Sequence, residues 1–280
     1  MAVAFKQHTL SNWNEFKAEW GEYLQTHGDD GSDDGPHQDP DGYVNGFVFR
    51  GMGCSRHNLI SSFDRLIQSF SPAPEDIKAL YIDAISNYIK AGREIRAFGD
   101  RDDDFLFSPD DPMITSKATF VKAEAFAQHH GFPTRLLDWS SSPYIAAFFA
   151  ASNYSLCESD HISIWCLDTK GAAKILEKDI QIVDEDYYEN TRLISQKGCF
   201  TRNDSNLPNM NELFQKPDRF FSTPIRPVLH RLDIPVAEGD TILKDLNFMG
   251  IDFLRVYPDL EGMKEIAKYK LVEAAAKPSR

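Results

Sequence analysis

Helical and strand patterns follow one another along this chain without a regular order, and this irregularity is the strongest constraint on its fold. Apolar residues at helical spacing begin near Asn12 and again after Pro74. Residues 43–51 and 161–167 instead have the composition and alternation of strands. No βαβ rhythm and no internal repeat connects these segments. The pattern predicts an α+β fold rather than a doubly wound parallel sheet.

The second half of the chain continues the same mixture. Ser142 and Pro143 are a favourable N-cap and first helical residue, and they begin the small-residue helix PYIAAFFAAS, whose alanines permit close packing on a sheet. Residues 226–235 and 251–258 are predicted strands, with a helix at 241–249 between them.

Composition places the chain among folded globular proteins. Hydrophobic residues make up 42% of the 280 residues and charged residues 26%. No Pro- or Gly-rich linker divides the chain, which predicts one domain over residues 1–280 with a core at about 13–269. The N-terminus has no signal-peptide pattern, and no segment approaches the roughly 18 apolar residues of a membrane span. We therefore expect a soluble cytoplasmic protein with no membrane partner.

Charge and cysteine content exclude several classes of site. The net charge of −13 disfavours a broad nucleic-acid interface but not a local basic pocket. Residues 28–42 and 101–112 are predicted acidic loops, and the first lacks the glutamate and register of an EF-hand. The cysteines lack the spacing of a zinc site or a disulfide framework, which predicts reduced thiols: Cys54, Cys157, Cys166 and Cys199.

The segment QHHGFPTRLLDWSSSP at residues 128–143 is the richest in reactive side chains. A structural interpretation accounts for part of it: Arg135 and Asp138 would form a buried ion pair, Trp139 would lie in the core, and Ser142 would only cap a helix. A functional interpretation places these side chains around a ligand. The residues by themselves leave both interpretations open.

A second candidate feature is Arg50, which stands at the end of the predicted strand 43–51, just before the glycine-rich turn GMGC. The glycines Gly51 and Gly53 do not form a nucleotide-binding motif. His129 and His130 end a predicted helix, where neighbouring residues point about 100° apart, so at most one is expected to face a site. Without further ligands at suitable spacing, no metal is predicted.

Three motifs together resemble the FRG domain family. They are the tripeptide Phe49-Arg50-Gly51, the segment AQHHGFPTRLLDWSSSPYIAAFFA at residues 127–150, and QKGCF at residues 196–200. The resemblance extends over residues 13–269. At a greater distance the arrangement is similar to the ADP-ribosyltransferase superfamily, in which a strand-end arginine, a serine or threonine motif and a late Glu or Gln surround NAD. This similarity implies a split mixed β-sheet with surrounding helices.

The resemblance implies roles for individual residues. Arg50, one of the serines 140–142 and Gln196 take the three family positions, and an aromatic side chain stacks on nicotinamide. Because Gln196 replaces the expected glutamate, either Asp138 or Glu189 supplies the negative charge that faces the developing positive centre. The implied catalytic set is Arg50, Ser140, Asp138, Gln196 and His130. The implied NAD-binding set is Phe49, Arg50, Gly51, His129, Arg135, Trp139, Ser142 and Phe200.

These roles predict an NAD-dependent, ADP-ribosyltransferase-like enzyme that modifies a macromolecule, either protein or nucleic acid. The resemblance further implies a bacterial or phage toxin or defence effector, with an antitoxin or regulatory partner. The alternative is a non-catalytic module that recognises a nucleotide or a partner protein through the same pocket. A nuclease that uses His129 or His130 is less favoured, because no carboxylate cluster is present for Mg²⁺.

Overall fold

The computed structural model describes residues 4–20, 46–71, 73–94, 117–153, 159–183, 195–215 and 227–276. These residues form one seven-stranded mixed sheet and ten α-helices. The strands are β1 (Phe5–Thr9), β2 (Phe47–Met52), β3 (Leu136–Ser140), β4 (His161–Asp168), β5 (Ile180–Val183), β6 (Gly198–Asn203) and β7 (Leu229–Pro235). The helices are α1 (Trp13–Glu15), α2 (Ser62–Gln68), α3 (Ile77–Glu94), α4 (Lys117–His129), α5 (Pro143–Ser152), α6 (Thr169–Leu176), α7 (Asn211–Gln215), α8 (Gly239–Phe248), α9 (Phe253–Val256) and α10 (Leu260–Ala276).

The sheet has the order β1-β7-β4-β2-β3-β6-β5. Strands β1 and β7 are parallel, and the other neighbours are antiparallel. Strand β2 pairs with β4 along its whole length, but it meets β3 at the single pair Phe49 and Ser140. The α+β class and the mixed sheet are thus confirmed. The sheet is continuous, yet it nearly divides between β2 and β3.

Helix α5 lies directly on β2, and glycine makes this close approach possible. A Cβ atom at Gly51 would lie 1.8 Å from the carbonyl oxygen of Ala146, and one at Gly53 would lie 2.6 Å from the carbonyl oxygen of Asn153. The helix begins as predicted, with the Ser142 hydroxyl accepting a hydrogen bond from the Ile145 amide. The glycine of the FRG tripeptide therefore serves packing.

Successive residues of β2 point to opposite faces of the sheet and therefore enter different hydrophobic cores. Phe47 and Phe49 join the core that contains the alanines of α5 and the apolar residues of α8. Val48 joins the other core, which contains residues of α6 and α7. The sheet is thus covered by helices on both faces.

Helices α2, α3 and α4 are tied to β3 and β6 by buried polar contacts. The Tyr81 hydroxyl donates to Glu124 Oε1 at 2.6 Å, and Arg202 Nη1 donates to Glu124 Oε2 at 2.8 Å. Burial raises the pKa of Glu124 to about 7, although Arg202 and the Tyr81 hydroxyl oppose the shift. These contacts hold α4 beside β3, where it forms one wall of the candidate site.

The structure corrects one predicted element. Residues 251–258 do not form a strand; they contain the short helix α9, whose N-cap Asp252 accepts a hydrogen bond from the Arg255 amide at 3.0 Å. The sequence reasoning did not identify β1, β3, β5 and β6 as strands. The predicted loops 28–42 and 101–112 lie outside the described residues, as do Glu189 and Cys157. No helix among the described residues is long and apolar enough to cross a membrane.

Candidate functional site

A cavity of about 960 Å³ opens where β2 and β3 separate. Its walls are formed by β2, β3, the C-terminal end of α4 and the loop 53–60 that follows β2. Gln196, Phe200 and Tyr257 contribute from distant parts of the sequence. β2 carries Arg50, and β3 carries Asp138 and Ser140. The predicted site residues are therefore expected to lie in this cavity.

Arg50 extends from β2 into this cavity and contacts β3. Its Nη1 atom donates to the backbone oxygen of Asp138 at 2.6 Å and lies 3.4 Å from Asp138 Oδ2. Its Nε atom is buried and has no hydrogen-bond acceptor among the described residues. The guanidinium is thus fixed in place through Nη1, while the buried Nε does not reach the open cavity.

Asp138 is the one carboxylate among the described residues that line the cavity. Its side chain is 62% exposed, and Oδ1 accepts a hydrogen bond from Gln128 Nε2 at 2.7 Å. Gln128 in turn belongs to α4, so strand and helix together orient the carboxylate. The predicted negative group therefore faces open space beside Arg50.

Ser140 and Gln196 also line the cavity and contact one another. Ser140 Oγ donates to the backbone oxygen of Gln196 at 2.7 Å and accepts from the Ser142 amide at 3.0 Å. Gln196 Nε2 donates to the backbone oxygen of Val256 at 3.1 Å. The next residue, Lys197, has a positive φ of 46°, an uncommon conformation for a non-glycine residue. The serine thus holds the turn that presents Gln196.

The predicted aromatic residues line the cavity, but the core covers most of each side chain. Phe49, Trp139 and Phe200 are 1%, 3% and 7% exposed. Trp139 also donates from Nε1 to Thr201 Oγ1 at 2.8 Å. Phe149 and Tyr257 line the same cavity and pack edge to face with each other. The structural interpretation of Trp139 as a core residue is confirmed.

Three predicted residues lie outside the cavity lining: Arg135, Ser142 and His130. Arg135 is buried and pairs with Asp64, whose Oδ1 lies 3.1 Å from Arg135 Nε. The structural interpretation in which Arg135 pairs with Asp138 is therefore wrong. Ser142 caps α5, and the His130 ring packs on Phe126. His129 does line the cavity, as expected if only one of the two histidines faces it.

The sequence reasoning missed a group of basic residues in the same cavity. Arg56 and His57 come from the loop 53–60, and Arg65 comes from α2. Partial burial and the charge of Arg50 lower the pKa of Arg65. The cavity is therefore locally rich in positive charge in a chain whose net charge is −13. The signal available in the sequence was the short basic cluster SRH directly after the glycine-rich turn.

Metal binding finds no support in this geometry: the described residues contain no group of three or more His, Cys, Asp or Glu side chains arranged to hold an ion. Bidentate arginine and carboxylate side chains instead suit an organic ligand with phosphate and hydroxyl groups.

Comparison with known proteins identifies the same part of the chain. No curated protein and no solved structure matches the chain. A family model does match, over a segment that supplies β2, the loop 53–60, β3 and α5. That segment contains every cavity-lining residue except Gln196, Phe200 and Tyr257. Residues 45–158 of this chain match the FRG domain family.

Proposed function

We propose that this protein is an NAD-dependent, ADP-ribosyltransferase-like enzyme that modifies a macromolecule. The observation that supports the proposal is the convergence of Arg50, Asp138, Ser140 and Gln196 on one cavity, at the point where the sheet nearly divides. These residues come from three separate segments of the chain. Their convergence agrees with the arrangement expected of the distant resemblance to ADP-ribosyltransferases.

The proposed reaction breaks the bond between the nicotinamide nitrogen and the ribose of NAD. Nicotinamide leaves with the bonding electron pair, and a nucleophile of the acceptor forms a new bond to the same ribose carbon and loses its proton. The ribose carbon develops positive charge in the transition state, which a fixed carboxylate stabilises. We assign this role to Asp138, and its exposure to the cavity and its hydrogen bonds with Gln128 and Arg50 support the assignment.

The other residues have roles that match their contacts. Arg50, whose side chain is 21% exposed, offers the exposed part of its guanidinium to a phosphate or ribose oxygen of NAD. Gln196 uses its amide nitrogen to bind the Val256 backbone, which leaves its side-chain oxygen to accept a bond from a ribose hydroxyl. Ser140 is a positioning residue, since its hydroxyl already holds the backbone of Gln196.

A second function is favoured by a specific observation. Asp138, Ser140 and Gln196 all have internal partners, while positive charge prevails in the cavity. A non-catalytic module that recognises an anionic nucleotide needs positive charge and shape but no free carboxylate.

The wider role as a bacterial or phage toxin or defence effector, with a regulatory partner, rests on the resemblance to FRG proteins and forms part of the first proposal.

Incubation with radiolabelled NAD, with and without cell extract, tests the proposal. We expect release of nicotinamide and transfer of label to a macromolecule. We also expect NAD or ADP-ribose to raise the melting temperature, whereas a nucleoside monophosphate does not, because a ligand that binds the native state stabilises it. Binding without nicotinamide release would favour the recognition module. A melting temperature unchanged by millimolar NAD, together with no label transfer, would contradict the enzyme.

A further inference from the structure

The loop 53–60 presents basic side chains to the cavity from a firmly held backbone. The Ser55 amide donates to the backbone oxygen of His161 at 2.9 Å, and the Leu59 amide donates to Asn211 Oδ1 at 2.9 Å. Ile60 forms a β-bridge with Asn209. Both ends of the loop are therefore fixed to other parts of the fold, and the residues between them are displayed in a defined place.

The side chains at the tip of this loop are not used by the fold. Arg56 and His57 are exposed, line the cavity, and make no side-chain hydrogen bond or ion pair with any residue that the structure describes. Arg65 binds the backbone oxygen of Ile60 through Nη1 at 2.5 Å, which places its guanidinium beside the same loop. A rigid loop that displays unpaired cations suits an anionic ligand.

Like charges gathered in one cavity carry a free-energy cost that an anion relieves. The charge of Arg50 is one of the causes that lower the pKa of Arg65, so the two guanidinium groups repel each other across the cavity. Asp138 supplies one negative charge against the positive charges of Arg50, Arg56 and Arg65. The net charge of −13 does not cancel this local field, because charges farther than a Debye length, about 8 Å at physiological salt, are largely screened.

We infer that Arg56, His57 and Arg65 form a phosphate-binding subsite at the rim of the cavity, next to the Arg50–Asp138 pair, and that its ligand is a phosphate ester. This inference deepens the proposed function, on which it rests for the identity of the ligand. The cavity of about 960 Å³ lies at the upper end of the range of roughly 300–1,000 Å³ for ligand pockets, which is ample for a dinucleotide. The phosphate belongs either to NAD or to a nucleic-acid acceptor.

Titration of the full-length chain with pyrophosphate, ADP-ribose and a short single-stranded oligonucleotide, with and without a terminal phosphate, tests the subsite. Arg56→Gln should weaken pyrophosphate binding about tenfold, because it removes one charge-assisted hydrogen bond. It should also reduce the slope of log affinity against log salt concentration for oligonucleotide binding, by the amount that corresponds to about one phosphate contact. Lys244→Gln is the matched control, since it removes an exposed positive charge on α8, away from the cavity lining.

Arg65→Gln is a second variant, with an expected loss similar to that of Arg56→Gln. Because Arg65 also binds the Ile60 backbone, the melting temperature of the Arg65→Gln variant is measured first. A loss of affinity for ADP-ribose alone assigns the phosphate to NAD, and a loss for the phosphorylated oligonucleotide alone assigns it to the acceptor; both support the subsite. Equal affinities of wild type and Arg56→Gln for every probe would overturn it, as would an equal loss in Lys244→Gln.

The same titrations separate the subsite from the proposed enzyme. If the wild type binds pyrophosphate through Arg56 but never cleaves NAD, the subsite stands and the proposed function fails. If NAD is cleaved at the same rate by wild type and Arg56→Gln and pyrophosphate binds both equally, the enzyme stands and the subsite fails.

Discussion

Two arginine–aspartate pairs meet at β3, and they differ in almost every physical respect. Arg135 and Asp64 are 2% and 0% exposed, and further hydrogen bonds from Ser61 and to the Ser205 backbone complete the pair. Arg50 and Asp138 lie 3.4 Å apart, with Asp138 62% exposed. The first pair joins α2 to the start of β3. The second faces the cavity.

The difference teaches which charges hold the fold and which are available to a ligand. A buried pair loses its hydration on folding, so removal of one partner leaves an unpaired charge that the interior cannot solvate. A pair with one exposed partner, such as Asp138 at 62%, keeps part of its hydration, so the loss of that partner costs less stability. Sequence proximity allowed an interpretation in which Arg135 pairs with Asp138, but in the fold each residue pairs with a distant partner.

The largest effect on stability is expected at the buried pair. Asp64→Asn should lower the free energy of unfolding by about 3–5 kcal/mol, because Arg135 remains buried without its counter-charge. Urea denaturation measures the change, and Asp138→Asn is the matched control, since the same chemical substitution is made at an exposed site. Similar losses in both variants would remove the distinction between the pairs.

The buried pair of Glu124 and Arg202 is a second ion pair that holds the fold, and its contribution to the free energy of unfolding should depend on pH. The pKa of Glu124 is raised to about 7 by burial, so the stability that this group contributes is complete below its unfolded pKa and is lost as the pH rises through about 7. The stability of the wild type relative to Glu124→Gln should therefore fall by about 1–3 kcal/mol between about pH 5 and pH 8.

Urea titrations at the two pH values measure this change. The exposed Glu212→Gln is the control, and its difference from wild type should stay near zero. A wild type that instead gains stability relative to Glu124→Gln over this range would show that Arg202 outweighs burial.

A smaller effect on stability, with a large effect on activity, is expected at Arg50. Arg50→Lys should lose activity nearly as completely as Arg50→Ala, by about 100-fold or more in kcat/KM, because an ammonium group cannot reproduce the forked donors. The melting temperature of both variants should stay within a few degrees of wild type. Calorimetry together with the NAD assay measures both quantities, and an early-melting Arg50→Lys would make Arg50 a structural residue.

The smallest stability change is expected for Asp138→Asn, at less than about 1 kcal/mol, since the carboxylate is exposed. Its turnover should nevertheless fall more than that of Glu189→Gln, the alternative source of negative charge suggested by the sequence. Turnover per folded molecule, measured beside the melting temperature, checks both points. Full activity in Asp138→Asn would exclude this residue as the carboxylate that faces the ribose.

Local signals in the sequence predicted much of the helical framework. The cap at Ser142, with Pro143 after it, marked the beginning of α5, and the apolar stripe after Pro74 marked α3. These predictions hold because capping and amphipathic packing depend on residues within a few positions of each other. The tripeptide at residues 49–51 does lie in a strand and has a glycine that packs against α5, but the prediction that Arg50 ends this strand is wrong, because β2 continues to Met52.

Short strands were harder to predict because their patterns are weak and their partners are distant. β5 has four residues, and β3 lies inside a segment dominated by polar side chains. The failed strand at 251–258 shows the opposite error, since its apolar residues fit either period and the N-cap Asp252 decided for a helix.

The sequence by itself determined the α+β class, the capped helices and part of the site, namely Arg50, Asp138, Ser140 and Gln196. Only the tertiary structure decided which arginine pairs with which aspartate. Arg135 and Asp138 are three residues apart at the start of an extended strand, which places them about 10 Å apart on opposite faces. Their partners Asp64 and Arg50 come from α2 and β2, and no local pattern encodes those distant contacts.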